Sequence, residues 1–492
     1  MALYYISHML TGQKSAIKNN LILKNSDMMI LKNAVLDDFG VIKKRPGSYK
    51  IANDLASSEI LGLFDFAKND GRHILLCGNG SKIYYIEFDY LLQEDGGFLL
   101  QENGSRIILD QASYTWTDTN VTGLTINSTT RFVNFVNKVF FVNGVQAVKD
   151  WDGGTTYDAQ VASAPIANYI TVFTDRIYTN DIAYPSRVHY TTIPNAGVIA
   201  WTGGDSGYYD VQTDDGDFIT GLHTRRDRLL IFKNHYIEGR DSYFRRISMV
   251  RGLGTPANDT IVTINNKTYF FNLDDSTSTG VYEYGSSDPI KISNPIQDLI
   301  DDIVLNDPKT QFFATKQGMN YILHIGTTQG MNNVVICYNT IHQAWSYWAY
   351  PSTLSCFAPY NEDNIILPYY GTKEGRVYKM NGNQDQYYNG TENTEKNITL
   401  NIRTHPIHCS NPHLFKDFTE VHIFDENPIK SSIRYQIDRA RWKRAGVVKD
   451  RVSLLQILGK GYDINIDILD SSLSSPEIKG LAIEYQTEED TR

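Results

Sequence analysis

His73-Ile-Leu-Leu, Lys138-Val-Phe-Phe, Arg176-Ile-Tyr-Thr, Arg228-Leu-Leu-Ile, Lys267-Thr-Tyr-Phe, Asn320-Tyr-Ile-Leu and Asn364-Ile-Ile-Leu share one form. Each is a polar head followed by apolar or β-favouring residues. The heads lie about 65, 38, 52, 39, 53 and 44 residues apart, a mean near 48, which is the period of propeller blades. Most copies run into a turn and a further strand, as in Gly78-Asn-Gly-Ser-Lys-Ile-Tyr-Tyr-Ile86, Gly280-Val-Tyr-Glu-Tyr284 and Gly375-Arg-Val-Tyr-Lys-Met380. Tryptophans 116, 151, 201, 345 and 348 sit late in several units. A four-stranded unit has two apolar faces and cannot bury both alone. Radial packing against neighbours buries them. The reading is an all-β protein, a β-propeller of six or seven blades over residues 56–392. The alternative is a set of hairpins in one or two β-sandwiches.

Outward from the repeat the pattern changes. Strand-like runs at Ile398–Thr404, Phe418–Phe424, Ser431–Ile437, Val452–Leu458, Ile464–Leu469 and Ile478–Tyr485 lack the hairpin head. Several alternate, which puts their isoleucines on one face. They predict a C-terminal β-sandwich-like domain over 393–492. Residues 1–55 read as an arm or hairpin closing onto the first blade, with Asp37-Asp38-Phe39-Gly40 as its turn. Arg45-Pro46-Gly47 reads as a tight turn that uses the freedom of Gly47 to take positive φ. Only Asn294-Pro295-Ile296-Gln-Asp-Leu299-Ile300-Asp-Asp-Ile303 reads as helix, with Asn294 as N-cap and its apolar residues on one face.

Composition narrows the function. The chain has 492 residues, 41% hydrophobic and 21% charged, with net charge −10. That is a foldable chain and a poor general nucleic-acid coat. Four scattered cysteines without a CxxC argue against a disulfide framework or a cysteine zinc site. The first residues lack a basic n-region and an apolar h-region, so no signal peptide is expected. No apolar stretch is long enough to predict a membrane span.

Motifs for chemistry are few. There is no P-loop, HExxH or GxSxG. Gly252-Leu-Gly254-Thr-Pro-Ala257 imitates a dinucleotide fingerprint, but Pro256 leaves it no helix. His405, His408, Cys409 and His413 gather zinc-type ligands at a spacing that fits no standard site, so they read as loop residues. The acidic run Asp205–Asp217 offers oxygens for Ca²⁺ but lacks the EF-hand spacing, and reads as an inter-blade turn. Asp152, Gly154, Thr156 and Tyr157 resemble one copy of the Asp-box, a structural turn of sialidase propellers. No spacing identifies the two carboxylates that glycosidase chemistry needs. No catalytic residue, cofactor or metal is expected. Two basic clusters remain: Lys43, Lys44 and Arg45, and the stretch Arg434–Arg451. The second holds seven Lys/Arg, among them Arg439, Arg441, Lys443 and Arg444, against two Asp. They read either as contacts to nucleic-acid phosphate or an acidic neighbour subunit, or as solvated strand faces.

Lys32-Asn-Ala-Val-Leu-Asp-Asp-Phe-Gly40-Val-Ile-Lys-Lys-Arg45-Pro46-Gly47 resembles the opening of the tail nozzle proteins of short-tailed bacteriophages. These include the tail tubular B and packaged-DNA-stabilisation proteins. Gly216–Leu222, Leu229–Lys233, Gln343–Trp348, Tyr370-Gly371 with Gly375–Tyr378, and the ending Gly459–Tyr462 with Ile478–Tyr485 are similar to a broader group of phage propeller proteins. The resemblance implies a non-enzymatic virion component of the tail. Its expected partners are itself, as a ring of six copies, the tail adaptor and other tail proteins. Double-stranded DNA would pass through the lumen without sequence specificity. The chain is shorter than the tubular B proteins, so large platform insertions are not expected. Two other readings stand beside it: a glycan-binding or glycan-cleaving propeller, whose mark would be an axial pocket with paired carboxylates, and a protein-interaction scaffold.

Overall fold

The heads recur because each opens the second strand of a blade. In the computed structural model, which describes residues 2–7, 12–16, 26–55, 58–88, 114–121, 124–125, 128–154, 163–213, 215–274, 278–307, 311–362, 364–409, 411–428 and 430–487, six of them begin strands and Asn364 directly precedes the seventh. Several heads follow two-residue turns. Val136-Asn137, Thr174-Asp175 and Asn265-Asn266 all have positive φ at both positions, the twist that suits a tight antiparallel hairpin.

Seven blades result. Blades 1 to 5 are built in order from Ile60–Ala67, Arg131–Phe135, Ile170–Phe173, Ile219–Arg225 and Val262–Ile264 as first strands, blade 6 from Phe313–Gln317 and blade 7 from Leu354–Glu362. Blade 2 has three strands among the described residues and the others have four. The first strands meet their neighbours around a common axis. The second strands are the most buried, since both of their faces meet packed layers; Leu229–Lys233 and Thr268–Asn272 are buried throughout.

The described strands within residues 1–55 do not form an arm on the first blade. Gly47–Lys50 is the outer strand of blade 7, paired with Val377–Gly382, so the ring is closed by joining the two ends of the propeller sequence. Met28–Lys32 lies parallel to blade 6 at Ala344–Ala349 and antiparallel to Leu400–Thr404. Through it the sheet of blade 6 runs on into the C-terminal unit, nine strands in all, ending at Lys443–Val447. A second sheet orders Ala34–Leu36, Ile42–Lys44, Ile478–Thr487, Lys416–Asp425 and Val452–Gly461, with Ala2–Ser7 also on Ile478–Thr487. Met28, Leu31, Ile402, Val421, Ile423, Ile466 and Ile483 fill the space between the two sheets. Hence the sandwich draws strands from both ends of the chain.

Asp37–Gly40 is the expected turn: Asp37 Oδ1 accepts the N–H groups of Phe39 and Val41, and Gly40 has φ 80°. Gly47 differs from expectation. It is extended strand, and glycine is required because a Cβ there would sit 2.1 Å from the Gln384 carbonyl oxygen. The helical reading holds as one 3-10 turn, Asn294–Ile296, followed by Gln297–Asp301 between blades 5 and 6, with Ser293 rather than Asn294 at the cap position.

Candidate functional site: a basic sandwich edge and a stoppered axis

The stretch Arg434–Arg451 folds as the hairpin Ser432–Ile437 and Lys443–Val447. Asp438 and Arg439, both with positive φ, turn the chain. Asp438 Oδ1 fixes the turn by accepting from the backbone N–H of Tyr462 and Asp463. Arg434 bonds to the fully buried Asp467, which also takes Arg403 at 3.4 Å, and the two guanidiniums lie over the Trp442 ring at 5.8 and 4.9 Å. Arg439, Arg441, Lys443 and Arg444 point outward, and among the described residues none makes a side-chain hydrogen bond or ion pair. The neighbouring strand Val452–Gly461 is the free edge of the other sheet. It exposes Val452, Leu454 and Leu458, the last at 72%.

The first basic cluster is different. Lys44 and Arg45 are buried, at 7% and 2% exposure, and offer no charge to a partner. Lys44 Nζ bonds Asp470 at 2.5 Å and the Ser472 carbonyl. Arg45 forms a two-bond pair with Asp385 and lies 3.9 Å over the Tyr350 ring. Lys43 is half-buried between Asp37 and Glu477, at 3.3 and 3.1 Å. Their place at an inward-turning strand end, and not their sequence spacing, sets this: a cation taken from water must be paired.

The propeller axis holds a cavity of about 650 Å³ lined by all seven blades. Arg131 of blade 2 spans it to Asp259 of the turn Asn258–Thr260 before blade 5, with both bonds at 2.6 Å. Burial works to raise the Asp259 carboxyl, but the Arg131 guanidinium outweighs it and holds the group below the usual range. Glu59 also lines the cavity and accepts from Gln311 at 3.1 Å. So two carboxylates do reach the axis, and one of them is locked as an ion-pair partner rather than free to carry a proton. Burial pushes the Cys356 thiol there up to about 12, which removes it as a nucleophile at neutral pH. His223, on the same wall, is held by Thr263 at 2.8 Å, and burial lowers it to about 4. Sequence reasoning missed Arg131 and Asp259. Nothing local marks two residues 128 positions apart.

The acidic run Asp205–Asp217 carries its own cations. Asp205 pairs with Arg176 at 2.5 Å, Asp210 with Arg187 at 2.8 Å, and Asp215 with the fully buried Lys233 ammonium at 2.9 Å. Asp217 accepts the N–H groups of Asn234 and His235, and Asp214 lies outside the described residues. A bound Ca²⁺ would compete with these built-in charges. The four zinc-type residues do not converge among the described residues: His405 contacts the Lys14 carbonyl, Cys409 is in the sandwich core, and His413 is exposed. In the Asp-box, Asp152 Oδ1 accepts from Gly154 N–H, while Thr156 and Tyr157 lie outside the described residues. Gly252–Ala257 is loop leading to a 3-10 turn, not to a helix that could hold a pyrophosphate.

No protein-family model matches the chain, and no curated protein does. Solved structures to which it is similar are propellers. One is a catalytically inactive virginiamycin B lyase from Staphylococcus aureus with quinupristin, 9% identical, covering 68% of this chain and 98% of that one, with a TM-score of 0.43. Another is BamB from Moraxella catarrhalis, 12% identical, covering 71% and 99%, with a TM-score of 0.38. A third is the Pan2 WD40 domain of Neurospora crassa, 9% identical, covering 70% and 96%, with a TM-score of 0.39.

Proposed function

We propose that this chain is a structural, non-enzymatic protein of a short-tailed bacteriophage virion. In this reading six copies form a nozzle ring at the tail, attached to the adaptor, that retains packaged double-stranded DNA and conducts it during ejection. The observation that carries the reading is the sandwich edge. Four cations without an ion pair among the described residues stand beside three exposed aliphatic side chains at the free edges of two sheets. Cations alone guard a free edge against aberrant pairing. The adjoining aliphatic stripe is what a neighbouring subunit would bury. A ring also suits the axis. A 650 Å³ cavity bridged by Arg131 and Asp259 cannot pass a duplex whose major groove alone is about 12 Å wide. The conduit in this reading lies between copies, and closed cyclic symmetry makes it. A net charge of −10 lets DNA slide rather than adhere, provided the lumen carries the acid.

Size-exclusion chromatography and negative-stain microscopy of the purified chain test this. A closed ring, alone or on addition of tail components, is expected. A protein that stays monomeric at high concentration and ignores purified tail components overturns it.

A further inference from the structure

Strand Lys416–Asp425 alternates inward and outward, so Glu420 and His422, two apart, share the outer face of the second sandwich sheet. The antiparallel register sets Glu484 opposite Glu420 and Ala482 opposite His422. Three side chains therefore converge from two strands. His422 Nε2 lies 3.4 Å from Glu420 Oε2 and 4.0 Å from Glu484 Oε2. Their ligand atoms all fall within 4.8 Å of one another.

The arrangement is electrostatically incomplete. Like charges placed directly opposite on neighbouring strands repel. Among the described residues no Lys or Arg pairs with either glutamate, whereas Asp470, Asp150, Asp215 and Glu362 each have a lysine partner. The His422 Nε2 atom is shielded from water and makes no hydrogen bond among the described residues. Tyr5 and Leu454 are the next residues of its cross-strand row, and the Tyr5 ring stacks on Phe424 at 6.3 Å.

We propose that Glu420, His422 and Glu484 form a binding site for a divalent transition cation of the zinc class. One imidazole nitrogen and two carboxylate oxygens suit a borderline metal. They do not suit Ca²⁺ or Mg²⁺, which take oxygen ligands in larger number. Tetrahedral bonds near 2.0–2.1 Å put ligand atoms about 3.3 Å apart, so the His422–Glu420 separation fits as it stands. Glu484, on a flexible side chain, closes the remaining gap by rotation. Three protein ligands leave a fourth position on the open side for water or a neighbouring group. The cation would replace the repulsion of the two carboxylates by a shared charge and so tie Lys416–Asp425 to Ile478–Thr487. The site is independent of the tail reading.

Isothermal titration of the chelator-stripped full chain with ZnCl₂ at pH 7.5 tests the site, with thermal unfolding measured with and without zinc. One zinc per chain at micromolar or tighter affinity and a raised Tm are expected, with no heat from CaCl₂ or MgCl₂. Glu484→Gln should weaken zinc at least tenfold and His422→Ala should abolish it. Both variants should unfold at or above the metal-free wild-type temperature, which shows that the fold survives. His413→Ala, at the exposed loop histidine, should bind as wild type. Absence of zinc binding to the wild-type chain overturns the proposal. So does zinc affinity unchanged in both site variants, which would mean that the metal sits elsewhere. If binding is lost in a variant that also unfolds earlier without metal, the conservative His422→Gln decides: zinc retained at wild-type affinity overturns the site, and zinc lost from a stable protein supports it.

Discussion

Arg45 and Asp385 are 340 positions apart and meet through two parallel hydrogen bonds of 2.9 and 2.5 Å, both side chains almost wholly removed from water. Arg45 also donates to the Ala349 carbonyl of blade 6 and the Pro46 carbonyl. Asp385 is the second residue of the hairpin Gln384–Tyr388 and Asn393–Asn397 that follows blade 7. One guanidinium thus ties together the start of the closing strand, blade 6 and the exit from the propeller.

Removing one member of that pair leaves the other charge buried and alone. Arg45→Ala or Asp385→Asn should therefore each lower stability by about 3–5 kcal/mol. The double variant should cost much less than the sum of the two. Chemical denaturation of the four proteins of the cycle checks this, and additive losses would show that the two residues do not act as a pair.

At Gly47 even one carbon is too many. The added Cβ would meet the Gln384 carbonyl oxygen at 2.1 Å, in the strand that closes the ring. Gly47→Val should cost about 3 kcal/mol or more and reduce soluble yield. Gly47→Ala should also destabilise, and because Gly47 is extended the loss comes from the close contact and not from a need for positive φ. A yield and Tm equal to wild type for the alanine variant would contradict the close approach.

Charge reversal at the sandwich edge separates assembly from folding. Arg441→Glu with Arg444→Glu changes two exposed side chains, so unfolding temperature should stay within a degree or two of wild type. If the proposed nozzle reading holds, ring formation or attachment to the adaptor should weaken, and more so at low salt than at 0.5 M, because the screening length is about 10 Å at 0.1 M. Sedimentation velocity at the two salt concentrations reads both effects. Assembly unchanged by the reversal would remove this edge from the interface.

Two histidines, His324 buried and His223 half-buried on the cavity wall, give the chain an acid sensitivity. Burial lowers both His223 and His324 to about 4, and each ring is held by one neutral oxygen acceptor or donor, Thr263 Oγ1 and the Gln311 carbonyl respectively. In the unfolded chain each titrates near 6.5. As pH falls below about 6.5 the unfolded state takes up protons that the folded state refuses. Stability is then fully present above 6.5 and lost progressively toward pH 4, by on the order of 3 kcal/mol per histidine. Urea unfolding at pH 7.5, 6.0 and 5.0 should show this slope, and His223→Gln should reduce it. A stability flat across this range would contradict neutral burial of both rings.

The sequence by itself determined the propeller and most of the sandwich strands, because the signals involved are local. A hairpin head is a turn plus the strand after it, and alternation in Asp463-Ile-Asn-Ile-Asp-Ile468 assigns a face within six residues. Seven heads became seven blades for this reason. Only the tertiary structure decided which strand lies beside which. The N-terminal 55 residues look continuous in sequence, yet Ala2–Ser7, Met28–Lys32 and Ile42–Lys44 complete the sandwich while Gly47–Lys50 completes blade 7. Lys43, Lys44 and Arg45 form one basic run on paper. In the fold the last two lie buried against Asp470 and Asp385. The strand Lys443–Val447 was illegible, because its Lys-Arg-Ala-Gly-Val carries little alternation and is held by its partner Ser432–Ile437. The pairs Arg131–Asp259, Arg45–Asp385 and Glu420–Glu484 exist because ring closure and strand register bring distant residues to one point. Those are properties of the whole set of sheets, which no window of sequence contains.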